Sequence, residues 1–449
     1  MRKLITLAGT LALWMTVVSQ PAAAEANEEV APGLRAGDML DQSNWQLAKD
    51  LLPSEVLKHY ERGEYRNRIA TAPDDFQHWD ASFEEATKEN ANMLDVDERG
   101  TVIDKRTGKQ PPYLYGIPFP NIDPSDPKGG VKVVWNEFAN YWNVGNAHYY
   151  TNIEMIGPTR LERQIVQDSY MIYYDAQNPK YRVPANPLNL SMQVLSTAVK
   201  PTDLNGTASL VWRFRDSNKR DSVWTYVPAL RRVRAVSPAN RSDGLLGSDI
   251  SQDDGHFFDG KPEDFEWKLI GLREGLRYAD PTTMKGYLPF APSKEGGYTI
   301  VLDPELPTLG FRTPDWKGLA WAPTDPVLIK RKMWVVEGKP RDKYYLYGKI
   351  ELWEDAESWI GAWNRKYGWD GELLSTYQVS TTRNNPAGPP EAREWVWNGS
   401  MAYQCVESLK LNRVSCAGSG RPFPGAPMVR RVQLNPSMFE SQTLTRAGR

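Results

Sequence analysis

Hydrophobic and polar positions change their period once along this chain. From Lys132 to Gly145, Val134, Phe138, Tyr141 and Trp142 recur at three- and four-residue spacing, so they share one face of a predicted helix. Gly145 stops it. Beyond that point the period is two. Arg163–Asp175 and Leu190–Val199 read as strands, and a turn follows at Asn205-Gly206. In Ser209–Arg215, Leu210, Trp212 and Phe214 lie on one face and Val211, Arg213 and Arg215 on the other. Val223–Val227 and Arg231–Val236 continue the series across a Pro228-Ala229 turn. Short strands joined by tight turns predict an antiparallel meander. A second β block is predicted over Phe265–Leu272, Thr299–Leu302, Val327–Val336, Tyr344–Trp353, Trp359–Tyr367 and Glu372–Ser380.

The flanks have other patterns. Asn44 is placed to cap a helix through Trp45, Leu47 and Leu51, Pro53-Ser54 restarts a second, and Phe83–Asn92 is a polar helix candidate. Residues 108–130 are dense in Pro, Gly and Asp and predict an irregular connection over the surface. The tail beyond Arg383 is rich in Pro and Gly and is expected to lie over the rest. The expected organisation is a leader over 1–24, a helical and loop-rich extension over 25–130, a sheet core with its helix over 131–383, and a tail over 384–449. The expected fold is mainly β with helices (α+β): a strongly curved antiparallel sheet forming an unclosed barrel, its open side covered by helices. Such a sheet needs a cover or a guest on its concave face. The helix 132–145 supplies the cover, and the space beneath is a natural apolar cavity. Its expected lining is the helix stripe of Val134, Phe138, Tyr141 and Trp142 with Trp212, Trp224, Tyr226, Trp334 and Tyr347 from the strands. The same aromatics fit an ordinary core equally well.

The first residues bear on the compartment. Arg2 and Lys3 precede an apolar run from Leu4 to Val18, and Pro21-Ala22-Ala23-Ala24 makes a small-residue cleavage site. This is the layout of a secretory signal peptide, too short to span a bilayer comfortably as an anchor. No Cys follows the site to take a lipid. The expected location is the periplasm. The whole chain of 449 residues carries 54 Lys and Arg against 56 Asp and Glu; losing Arg2 and Lys3 with the leader takes the net charge from −2 to −4. That disfavours a nucleic-acid partner. The 17 Trp, 21 Tyr and 12 Phe are too many aromatics for a disordered chain. In an oxidising compartment the two cysteines, Cys405 and Cys416, read as one local disulfide, and they are too few for a structural zinc site.

One stretch carries a resemblance. Asp221-Ser-Val-Trp-Thr-Tyr-Val-Pro-Ala-Leu-Arg-Arg-Val-Arg-Ala-Val236 reads as a polar turn, a strand with an aromatic pair, a Pro-Ala-Leu turn and a basic strand. The loop Asn240–Asp254 follows, with Gly247-Ser248-Asp249 and then Asp253. Further on, Tyr344–Trp359 and Tyr367–Leu373 alternate strands with Gly turns. These segments resemble the superfamily of outer-membrane lipoprotein-sorting proteins, and the layout is similar to an exported bacterial domain-of-unknown-function family placed in it. The resemblance implies acyl chains held between a bent sheet and helices. It also implies company with inner-membrane transporters of the resistance–nodulation–division type and an outer-membrane β-barrel. The greater length, the N-terminal extension and the Cys-bearing tail depart from the short carriers, so the implied cargo widens to a sterol, a terpenoid or another lipid.

The remaining chemistry is sparse. Asp249, Ser251, Asp253, Asp254, His256, Asp259, Glu263 and Asp264 gather oxygen ligands, but a calcium-loop reading puts Asp254 where Gly is needed and Gly260 where Glu is needed. These carboxylates are expected instead in a solvated loop, capping turns or pairing with Arg231, Arg232 and Arg234. No metal site or cofactor is expected. Arg232 and Arg234 share a strand face, which fits a patch for an anionic headgroup or acidic partner; a charged edge against aggregation is the other reading. Gly-x-Ser-x-Gly, His-Glu-x-x-His and Walker-type patterns are missing from the sequence, and His59, His78, His148 and His256 are scattered. Three readings follow: a periplasmic carrier of a hydrophobic molecule without covalent chemistry; a carbohydrate-binding or carbohydrate-active protein using Trp surfaces and two of Glu137, Glu351 and Glu357; or a structural adaptor of an envelope export complex.

Overall fold

The structure, a computed structural model, describes residues 28–449 apart from 75, 78, 184, 282–289, 301–307, 383–400, 419–427 and 448–449. The predicted leader over 1–24 and His78 lie outside the described residues. The chain is mostly β-sheet with few helices. The helices used below are α1 (Ser54–Glu61), α2 (Ala81–Met93) and α3 (Gly129–Trp142). The long strands are β1 (Ala147–Ile156), β2 (Leu161–Tyr173), β3 (Leu190–Lys200), β4 (Ala208–Phe214), β5 (Ser222–Val227) and β6 (Arg232–Val236). After a loop come β7 (Phe265–Ala279), β8 (Val327–Pro340), β9 (Lys349–Asp355), β10 (Gly361–Tyr367), β11 (Leu373–Thr381), β12 (Met401–Ser408) and β13 (Arg413–Gly418).

Two antiparallel meanders make one sheet. β1 to β6 pair in chain order, and so do β7 to β13. The pairing of β1 with β13, Val414 opposite Ile156, joins them. The long sheet does not close edge to edge: among the described residues β6 pairs with β5 alone, and β7 does not reach it. It does curl on itself at the other end, where Tyr278 and Ala279 of β7 run parallel to Ser380 and Thr381 of β11. Among the described residues no helix is long and apolar enough to cross a membrane.

Three sequence expectations are corrected. The predicted helix 132–145 begins earlier, at Gly129, and only Lys132 escapes burial. Its start is glycine for a steric reason: a Cβ on Gly130 would lie 2.9 Å from the backbone of Lys268 and Leu269 in β7. α3 therefore presses directly on the sheet. The stretch 108–130 is irregular, as expected, but it is not merely a surface connection. Leu114, Ile117 and Phe119 are buried in the core with α3. Asn136 makes this possible, accepting from Phe119 N at 2.9 Å and donating to Phe119 O at 2.7 Å, so a buried amide and a buried backbone satisfy each other. The tail departs from expectation in part. β12 and β13 are interior strands of the sheet, the expected disulfide joining directly opposed Cys405 and Cys416 with Cα atoms 4.0 Å apart, whereas the segment holding Phe439 and Leu444 does lie over the sheet.

Each half of the sheet has its own outer cover. Tyr60, Val56 and Leu57 of α1 share a core with Trp363, Trp321 and the disulfide. On the other half, Phe439 and Leu444 of the C-terminal segment pack with Leu210, Phe214 and Tyr226. The inner face meets α3 along β7 and β8, and along β1 to β4 it meets something else.

Candidate functional site

Over β1 to β4 the inner face is roofed by the loop 241–259, and a cleft lies between them. It holds about 1230 Å³ of space free of atoms, its open mouth included. The cavity proper is about 170 Å³, below the roughly 300–1,000 Å³ of drug-sized ligand sites, so a ligand larger than that extends into the open mouth. Ile153, Met171, Met192, Val194 and Val211 line the sheet side, and Leu245 and Ile250 the roof. Tyr141 of α3 closes one flank beside His256. Thr151, Gln167, Ser169, Ser196 and Ser209 add hydroxyl and amide groups between the apolar ones.

The roof is held by buried charge. Arg241 reaches Asp253 at 2.5 Å and Asp221 at 3.0 Å, and Arg213 reaches Asp221 at 3.0 Å and Asp259 at 2.9 Å. Burial alone would raise the Asp221 carboxyl, but Arg213 and Arg241 outweigh it and hold it below the usual carboxylate range. Lys366 pairs with Asp254, and Tyr345 donates to Asp253 at 2.9 Å. Asp249 takes Arg413 at 3.0 Å and the Ser415 hydroxyl at 2.7 Å. The acidic residues Asp249, Asp253, Asp254 and Asp259 are thus not solvated, nor paired with Arg231, Arg232 and Arg234 as the sequence suggested; their partners are Arg241 of the loop itself and Arg213, Lys366 and Arg413 of the sheet. Phe257 completes the anchoring. Its ring lies on Gly361 of β10, where a Cβ would come within 2.1 Å of it, and its carbonyl accepts from Asn364 at 2.9 Å.

His256 stacks on Tyr141 with ring centroids 3.6 Å apart, and its Nε2 sits 2.9 Å from Glu137 of α3. Burial drives the imidazole down to about 3 and pushes the Glu137 carboxyl far up. Burial thus favours the uncharged form of each group. Glu354 is fully buried, and burial, then the nearby Glu137, raises it as well. Glu351 pairs with Arg365 and Glu357 with Arg331. The three glutamates considered for glycoside chemistry thus serve three different partners.

Of the expected cavity residues, Tyr141 alone is a wall of this cleft. Val134, Phe138, Trp334 and Tyr347 are consumed in the core around α3. Trp142 belongs to that core too, and also reaches a smaller crevice with Arg213 and Arg215. Trp212, Trp224 and Tyr226 lie on the outer face, where the Trp212 indole donates to Phe439 O at 2.7 Å. The physical reason is the strand period: Val211 points to the cleft, so Trp212 cannot. Gly247 and Ser248 turn the roof loop, with the Ser248 hydroxyl donating to Leu245 O at 2.8 Å; Asp249 and Asp253 fasten it. Arg232 and Arg234 are exposed on the edge strand. Sequence reasoning missed Met171, Val194 and Val211, although their alternation with Ile172, Leu195 and Trp212 was there to be read.

A profile of the family described as "Protein of unknown function (DUF1329)" matches residues 39–285. No curated protein sequence matches the chain. Among solved structures, a domain described as belonging to outer membrane lipoprotein sorting, from Vibrio parahaemolyticus, is similar at 14% identity and a TM-score of 0.45, covering 72% of this chain and 100% of that one. A DUF1329 family protein from Desulfovibrio piger is similar at 14% identity and a TM-score of 0.44, over 71% and 100% of the two chains. A LolA superfamily protein from Nitrosomonas europaea gives 12% identity and a TM-score of 0.38, over 68% and 96%.

Proposed function

The chain belongs to the DUF1329 family, and for this member we propose a non-covalent role: binding and carrying a hydrophobic molecule seated between β1–β4 and the roof loop. One observation carries the reading. Ile153, Met171, Met192, Val194 and Val211 face Leu245 and Ile250 across an open space, and the roof is fixed by ion pairs rather than by packing into that space. About ten buried methylenes contribute on the order of 8 kcal/mol. Association costs about 4 kcal/mol or more. Useful affinity therefore needs no catalytic group. The signal-peptide-like pattern of residues 1–24 supports a periplasmic setting for this role. Service to a resistance–nodulation–division type transporter and an outer-membrane β-barrel rests on the sequence resemblance, and a pull-down from envelope extract tests it.

The direct test is uptake of a neutral apolar fluorophore, N-phenyl-1-naphthylamine, with native mass spectrometry of gently purified protein. The reading expects saturable fluorescence and a bound mass, both lost in Val194→Asp, which sets a carboxylate in the cleft. Persistently ligand-free protein that never takes up the fluorophore overturns it.

A further inference from the structure

Residues paired across antiparallel strands project from the same face. The register of β2 to β6 therefore sorts the inner face into rows. One row runs Met171, Val194, Val211, Val223, Val236 and is apolar throughout. The row beside it runs Ser169, Ser196, Ser209, Thr225, Arg234: four hydroxyls and then a guanidinium. The two rows lie about 7 Å apart along the strands, and each spans roughly 19 Å across five of them. The first three members of both rows are walls of the cleft. Both rows then continue over β5 to the free edge at β6. Ser169 Oγ and Ser196 Oγ stand 2.9 Å apart, in hydrogen-bond contact along the row. At its outer end, Arg232 shares the face of Arg234, both are exposed, and neither has an acidic partner among the described residues.

A bare hydrocarbon does not match this surface. Laid along the hydroxyl row it would take these hydroxyls out of water and offer them no polar partner of its own, at a cost of up to about tenfold in affinity for each one left unsatisfied. We infer that the ligand is an anionic amphiphile lying across the strands. Its apolar flank rests on the Met171–Val236 row, its hydroxyl or carbonyl oxygens on the Ser169–Thr225 row, and its anionic end at Arg234 and Arg232. This deepens the proposed function and rests on the cleft being a hydrophobic-ligand site.

The test titrates the full chain with three probes: deoxycholate, which has an apolar face, a hydroxylated face and a carboxylate; dodecanoate, which has the charge without the hydroxyls; and N-phenyl-1-naphthylamine, which has neither. Deoxycholate is expected to bind about tenfold tighter than dodecanoate. Arg232→Gln with Arg234→Gln weakens both anions by about three- to tenfold, more at low salt, and leaves the neutral probe unchanged. Ser196→Ala with Ser209→Ala weakens deoxycholate alone. Thermal melts matching the parent show that these surface and cleft variants fold. If the neutral probe binds while deoxycholate has no advantage and both double variants behave as the parent, the two-row ligand is refuted and the cleft reading stands. If no probe binds, both fall.

Discussion

Arg241 and Asp253 are joined inside the protein, Nε to Oδ1 at 2.5 Å, with side chains only 7% and 6% exposed. Arg241 ties the start of the roof loop to Asp253 and to the carbonyl of Asp259 at its end and, through Asp221, to the strand side of the cleft. Removing the guanidinium leaves two buried carboxylates short of a partner, which costs about 3 kcal/mol or more. Arg241→Met is therefore expected to lower the melting temperature and to weaken N-phenyl-1-naphthylamine binding together. A variant as stable as the parent would show that the roof does not depend on this pair.

The Glu137 carboxyl makes stability depend on pH. Its ordinary value is 4.5, and in the fold burial raises it well above that. A raised carboxyl contributes stability that is complete below 4.5 and is lost as pH rises toward the folded value, at about 1.4 kcal/mol per pH unit. Glu137→Gln removes that loss and keeps an N–H to donate to His256 Nε2. The variant should match the parent near pH 4.5 and exceed it increasingly as pH rises above 4.5, as read by denaturant melts. A difference that stays constant as pH rises contradicts the raised Glu137 carboxyl.

The reach of the sequence is clearest in β4 to β6. Their residues alternate between the inner face, where Ser209 and Val211 wall the cleft, and the outer face, where Leu210, Phe214 and Tyr226 meet the C-terminal cover, so Ser209–Val236 is legible as a meander. β1 is not, because it pairs with β2 and β13 and is buried on both sides along most of its length. With no solvent face, His148, Asn152 and Glu154 interrupt any apolar alternation. The cleft was beyond reach for another reason. Its roof is placed by Asp254 meeting Lys366 and Asp249 meeting Arg413, contacts 112 and 164 positions apart. The α3 stripe is apolar, which alone fits a cavity wall or a core equally; a helix buried on nearly every side spends those residues on packing.

The Cys405–Cys416 bond should matter more for stability than for binding. It lies opposite Glu154 of β1, on the face that shares a core with Trp363 and Trp321. Closing a loop of this length stabilises by about 3 kcal/mol. Cys405→Ser with Cys416→Ser, or reduction with dithiothreitol, is expected to lower the melting temperature while neutral-probe affinity of the folded fraction stays within about twofold. Loss of binding without loss of stability would instead connect the disulfide to the cleft.

Trp212 provides the sharpest contrast between a ligand-lining role and a packing role. Its indole donates to Phe439 O, and its ring stands 4.9 Å from that of Trp224 on the outer face. Phe439 is completely buried beside them, so Phe439→Ala opens this cover at a cost of about 3 kcal/mol. Water then reaches both indoles, and their emission should shift to the red, with N-phenyl-1-naphthylamine affinity unchanged because the cleft lies across the sheet. Val194→Asp should do the reverse, abolishing probe binding and leaving the emission maximum where it was. If the apolar probe itself quenches Trp212 in the parent, and a Trp212→Phe variant loses that signal together with affinity, the tryptophan faces the ligand after all and the assignment of the two sheet faces is reversed.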